Sequence, residues 1–161
     1  MDWIPIHINP LLSVAYLCGI FYTNSFPNRM TSLEIVQNYY AAFNDKNWAG
    51  MLALVAPEIR HEPNQGDVRV GIQKFTEFLG MMDTAYEETL SDMVFFTEPS
   101  GRRIAVEFTV NGIYKQGEEG FPEAHGQAYE LPAAAFVEVA DNKITRVTTY
   151  YNLPLWISLV S

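Results

Sequence analysis

The chain has one cysteine, Cys18, so it can build no intrachain disulfide framework, and no second cysteine or spaced histidine pair completes a zinc motif. Such cysteine usage fits a reducing cytoplasm, and the pattern points to no metal and no cofactor. Basic residues are also scarce. Ten Lys and Arg stand against nineteen Asp and Glu, a net charge of −9, and the basic residues are dispersed. A surface that tracks phosphates has nowhere to form, so nucleic acid is not an expected partner. Charge is missing altogether from Trp3 to Asn28. That stretch lacks the positively charged start and the small-x-small cleavage site of a signal peptide. Pro5, Asn9, Pro10, Asn24 and Pro27 crowd both ends of its apolar centre, whereas a bilayer span takes about 20 predominantly apolar residues. Two readings stay open: residues 1–29 are an extension upstream of a natural start at Met30, or they are a signal or anchor. There is no internal repeat and no low-complexity tract.

What is present is enough apolar material for one well-buried core: 161 residues, 48% of them hydrophobic. One domain is expected, over residues 30–161. Thr31 or Ser32 can cap a helix whose apolar residues at 33, 36, 39, 40 and 43 recur at helical spacing. Trp48, Met51, Leu52 and Val55 predict a short second helix ended by Pro57. Glu58 to Glu62 reads as a short strand, Pro63 to Asp67 as a loop, and Gly71 to Met82 as a third helix. Strands are then expected over Tyr86 to Thr97, Ile104 to Lys115, Gln127 to Val139 and Lys143 to Asn152. In the last hairpin, turning at Asp141-Asn142-Lys143, one face carries Tyr129, Ala133, Ala135, Val137 and Val139, and the returning strand brings Val147, Thr149 and Tyr151 to one face. Helices followed by a meander of long strands predict an α+β domain, with helices on one face of a curved antiparallel sheet.

That order, with the segments NYYAAFNDKNWAGMLALVAPEIRHEPNQG, GIQKFTEFL, VEFTVNGIYK and GQAYELPAAAFVEV…KITRVTTYYNLPLW, resembles the nuclear-transport-factor-2-like (NTF2-like) superfamily. Within it, the chain is most similar to the ketosteroid-isomerase-related, SnoaL-like proteins. The resemblance covers Thr31 to about Val160. It implies a cone-shaped α+β barrel with three N-terminal helices, an apolar cavity, and dimerisation through the outer face of the sheet.

The chemistry of ketosteroid isomerases carries over only in part. Those enzymes use a carboxylate base, a tyrosine and a protonated acid. By the resemblance, Tyr39 takes the tyrosine position, Pro63 falls at the base position, and the later acid falls within the apolar run Ala133-Ala134-Ala135. Glu62, next to Pro63, faces the other way on its strand. Two of three groups are therefore missing. The Asp-Arg-Asp set of limonene-epoxide-hydrolase-like relatives is absent too, with Thr149 at the expected Asp and no Arg in Val106 to Val110.

His61, two residues before Pro63, is aimed by strand alternation at the interior, as a general base or a hydrogen-bond donor to a ligand. Asn64 and Gln65 lie at the mouth of the same strand, and Val106, Phe108, Tyr129, Val137, Thr149 and Tyr151 are the expected pocket walls. The pairs Glu87-Glu88 and Glu118-Glu119 are expected in solvent, Trp48 and Trp156 in packing, Glu107 on the outer face, and His125 in a loop. Three readings follow. His61, assisted by Tyr39, moves a proton on a small apolar carbonyl compound as an isomerase- or lyase-like enzyme; the domain binds such a compound without catalysis; or the pocket is filled and the protein works as a dimer through its surface.

Overall fold

The computed structural model describes residues 30–117 and 119–161. The expectations for residues 1–29 and for Glu118 lie outside the described residues. Thr31 opens the first helix with a capping box: its hydroxyl accepts from the Glu34 amide at 3.2 Å while the Glu34 carboxylate accepts from the Thr31 amide at 2.7 Å. Helix α1 (Ser32–Asn44) follows and buries Ile35, Val36, Tyr39 and Tyr40 along one stripe. Helix α2 is Trp48–Ala53. It stops before the expected end because Val55, Ala56 and Pro57 already belong to strand β1 (Val55–Pro63), where Val55, Ile59 and His61 turn inward. Strand β2 (Arg69–Val70) pairs with β1 and was not anticipated. Helix α3 (Ile72–Ala85) leads into β3 (Tyr86–Thr97), β4 (Arg103–Tyr114), β5 (Gln127–Ala140) and β6 (Lys143–Tyr151). The β5–β6 turn is the pair Asp141 and Asn142, both with positive φ, as a tight two-residue hairpin requires.

The six strands form one sheet in the order β2-β1-β6-β5-β4-β3, with β1 parallel to β6 and every other pair antiparallel. Register shifts in the β1–β6, β3–β4 and β5–β6 pairs bend it. The helices pack on the inner face, and the core lies between α1 and the inward residues of β4, β5 and β6, such as Ile104, Val106, Ala135, Val137 and Ile144. The sheet is open, and its β3 edge is covered from α1. The Asn44 amide donates to the Leu90 carbonyl at 2.9 Å and accepts from the Leu90 N–H at 2.8 Å, satisfying strand groups that would otherwise lack a neighbour.

A fourth helix, α4 (Leu153–Val160), follows the last strand and adds to the three helices expected. Asn152 caps it, accepting from the Leu155 amide at 3.2 Å, and Pro154 lies in its first turn, where no amide is needed. Trp156 projects from α4 into a ring of aromatics, 5.1 Å from Tyr114, 5.4 Å from Phe121 and 6.1 Å from both Tyr86 and Tyr129. Its expected packing role is thereby seen. Among the described residues no helix is long and apolar enough to cross a membrane.

Candidate functional site

Between the helices and the inner face of the sheet lies a cavity of about 280 Å³. Its walls are mostly apolar and aromatic, from Tyr39, Tyr40, Phe78, Leu79, Phe108 and Trp156 among others. Few polar groups reach it, which makes each one informative.

At the β1–β2 end, His61 and Arg69 are direct cross-strand partners and both line the cavity. The imidazole is only 4% exposed and is held between rings, 4.3 Å from Phe78 and 5.3 Å from Phe75. The Arg69 guanidinium lies over Phe78 at 4.8 Å. Neither polar group is satisfied: His61 Nδ1 and Arg69 Nη1 are buried and hydrogen-bond to nothing among the described residues. Buried donors and acceptors are rarely left so, and here both belong to cross-strand neighbours that line the cavity, which makes this end the candidate place for an outside polar atom. Burial, and then the neighbouring charge of Arg69, lower the His61 pKa from 6.5 to about 4, so the ring is neutral at physiological pH.

Other expected site residues fall in different places. Tyr39 lines the cavity from α1, and burial raises its phenol well above the usual range. Pro63 lines it where the base of a ketosteroid isomerase is expected, and Ala133, Thr149 and Tyr151 line it from β5 and β6. Asn64 does not: its amide donates to the Tyr151 carbonyl at 3.2 Å and its amide oxygen lies 3.4 Å from the Tyr151 N–H, continuing the strand pairing. Val106 and Val137 are too deep, packed into the core at 1% exposure. Tyr129 stands behind the wall. Its hydroxyl donates to Glu88, and Glu88 is the carboxylate that lines the cavity rather than facing solvent as expected. Glu62 turns outward, bonded to Arg60 at 2.8 Å and Arg146 at 3.3 Å, and His125 is exposed while Phe121 of the same loop reaches the cavity.

Sequence reasoning missed Arg69 and Glu88. Nothing in a two-residue strand announces Arg69. For Glu88 the signal existed, because it shares strand parity with the buried Leu90. Among the described residues no three His, Cys, Asp or Glu side chains converge as metal ligands.

An open sheet wrapped around helices, with an apolar cavity and a sparse polar end, is the architecture of the NTF2-like pocket proteins. The SnoaL-like domain matches residues 36–147, and the chain belongs to that family. It is similar to a candidate polyketide cyclase from Pseudomonas putida KT2440, at 44% identity over 82% of this chain and 99% of that one, with a TM-score of 0.80. A second candidate polyketide cyclase, from Xanthomonas campestris pv. campestris, is 45% identical over 83% and 99% of the two chains, with a TM-score of 0.79. An NTF2-like protein from Burkholderia xenovorans LB400 shares the fold at 17% identity, covering 83% of this chain and 99% of that one, with a TM-score of 0.67. No curated protein matches the chain.

The unpaired imidazole gives a testable pH dependence. The folded pKa lies below the unfolded value, so the unfolded chain takes up the proton first. The His61 contribution to stability is therefore complete above pH 6.5 and is lost as pH falls toward 4. At about 1.4 kcal/mol per unit the gap amounts to about 3 kcal/mol. Urea unfolding of the wild type should weaken between pH 7 and about pH 4.5 by more than that of His61→Leu, and parallel losses in the two proteins would refute a neutral buried His61.

Proposed function

We propose that this protein binds a small apolar carbonyl compound in its cavity, with the carbonyl oxygen between His61 Nδ1 and Arg69 Nη1, and moves a proton on it. The observation that carries this reading is a buried, unpaired nitrogen on each of two cross-strand neighbours that line one end of a mostly apolar cavity. A carbonyl oxygen accepts from Arg69. With its proton on Nδ1, neutral His61 supplies a second hydrogen bond. Negative charge developing on that oxygen is stabilised by a fixed cation in a site that excludes water. His61, held near pKa 4, is a weak base, so hydrogen bonding suits it better than proton abstraction. Tyr39 is the neutral phenol assigned to the same ligand from α1. The candidate polyketide cyclases support the substrate class, because closing a ring of that kind begins at a carbon beside a carbonyl.

Binding without catalysis is the second reading, favoured by Pro63 and Ala133 on the cavity wall, where the family resemblance leads one to expect acids. Both readings share a polar end that recognises oxygen. The ketone 2-tetralone should therefore bind at least about tenfold more tightly than tetralin, its hydrocarbon counterpart, by calorimetric titration. Arg69→Met and His61→Leu should each erase most of that preference and leave tetralin affinity unchanged. Equal binding of the two compounds by the wild type would sink the polar-end assignment, and binding of neither would favour a protein that acts through its surface.

Dimerisation through the outer face belongs to the same proposal. Phe136 and Tyr150 stand half exposed there, edge to face at 5.8 Å, beside the ion-pair ladder Arg103–Glu138–Arg146–Glu62. Sedimentation should show a wild-type dimer that Phe136→Glu converts to a folded monomer, and a monomeric wild type would contradict the assignment.

A further inference from the structure

The polar end at β1 and β2 leaves unexplained a carboxyl group that reaches the same cavity from β3, the opposite edge of the sheet. Tyr86, Glu88 and Leu90 alternate along β3, and all three line the cavity. The acid is held by groups from three other elements. Glu88 is opposite Gly112 of β4, which is opposite Tyr129 of β5. A Cβ at Gly112 would lie 2.2 Å from Cζ of Tyr129. The tyrosine ring thus occupies the space above the glycine and crosses β4 to Glu88, where its hydroxyl donates to Oε1 at 2.5 Å. From the turn after α1, Lys46 Nζ donates to the Glu88 backbone carbonyl and fixes the residue from the other side.

A carboxylate has two acceptor oxygens, and Tyr129 uses one of them. Among the described residues no hydrogen bond engages Oε2. Aromatic rings surround the group: Trp156 lies 6.1 Å from both Tyr86 and Tyr129, and Trp156 and Tyr86 line the cavity with Glu88. We propose that Glu88 is a second recognition point of the cavity, where Oε2 accepts a hydrogen bond from the hydroxyl of an aromatic ligand, so that the compounds this protein takes carry a phenol-type O–H. The proposal rests on the reading of this cavity as a ligand site, and it stands independently of which group the β1–β2 end binds.

Tyr129 shows that a phenol fits this carboxyl, because the protein's own tyrosine already makes that bond to the neighbouring oxygen. A hydrogen bond to an ionised oxygen is stronger than one between neutral groups. Burial raises the Glu88 pKa from 4.5, while the Tyr129 hydrogen bond and the Lys46 charge act the other way and favour the ionised form. With the Lys46 ammonium already close to the carboxylate, a neutral donor suits the site better than a second cation, which would also have to shed its water among aromatic walls. Tyr129 is a positioning residue, and Gly112 is the gap that lets its ring reach across β4.

The test is calorimetric titration of the full-length protein with tetralin, with the two phenols formed by adding a hydroxyl to its aromatic ring, and with their methyl ethers. At least one phenol should bind the wild type about tenfold or more tightly than tetralin, and the ethers, which have no proton to donate, should bind no better than tetralin. Glu88→Gln keeps an oxygen for Tyr129 but puts an amide donor in the other position. It should lose most of the phenol preference, hold tetralin affinity within about threefold and keep the preference for 2-tetralone. Arg69→Met should do the reverse, keeping the phenol preference and losing that for 2-tetralone. Equal binding of tetralin and both phenols by the wild type overturns the proposal, as does an ether that matches its phenol or a phenol preference that survives in Glu88→Gln. Tighter binding of 2-aminotetralin, an ammonium of similar size, than of either phenol would assign Glu88 to a cation and overturn it too. A wild type that prefers a phenol but not 2-tetralone refutes the carbonyl reading and leaves the role of Glu88 standing, whereas one that binds none of these compounds refutes both.

Discussion

A guanidinium nitrogen buried without an acceptor is costly, and Arg69 carries one at the β1–β2 end of the cavity. Arg69 is held there by pairing with His61 across β1 and β2 and by the face of Phe78. The ring contact recovers part of the lost hydration but supplies no acceptor. Its positive field is also one of the two causes that keep His61 neutral. The two side chains therefore define one unsatisfied position, and on the proposed reading the ligand is what completes it.

Strand β1 divides labour between its faces. Inward, His61 and Pro63 meet the cavity; outward, Glu62 joins Thr148 and Arg146 in a network that continues to Glu138 and Arg103. Alternation forces this separation, so the outer charges stay in reach of water while the inner wall is mostly apolar. The parallel pairing of β1 with β6 sets His61 opposite Val147 and Pro63 opposite Thr149, giving both strands a common cavity wall. At the far edge of the sheet the same alternation brings Glu88 inward beside Leu90, where Asn44 ties the strand to α1. The two ends of the cavity thus differ in chemistry: a fixed positive charge at one, a buried carboxyl at the other.

Much of this was legible in the sequence because strand parity and helical spacing are local. The burial of Tyr129, Ala133, Ala135, Val137 and Val139, the inward turn of His61 and the outward turn of Glu62 all follow from counting by two. What parity does not give is depth. Val106 and Val137 lie on the inner face as expected but under α1, whereas Phe108 on the same strand as Val106 reaches the cavity. Asn64 was placed by register: its amide meets the Tyr151 backbone only because β1 runs parallel to β6. Strand β2 is too short to show a period, so Arg69 carried no signal. Helix α4 was marked by Asn152 and Pro154, yet its apolar run also fits a strand continuation. Glu88 was misjudged because two adjacent acids look solvated, although in a strand they point opposite ways.

A crystal structure of the protein with bound 2-tetralone tests the central claim most directly. The account predicts the ketone oxygen within about 3 Å of both His61 Nδ1 and Arg69 Nη1, with the rings among Phe78, Leu79 and Phe108. A ketone oxygen turned away from both nitrogens, or a cavity in which the protein's own carbonyls satisfy them, would contradict it.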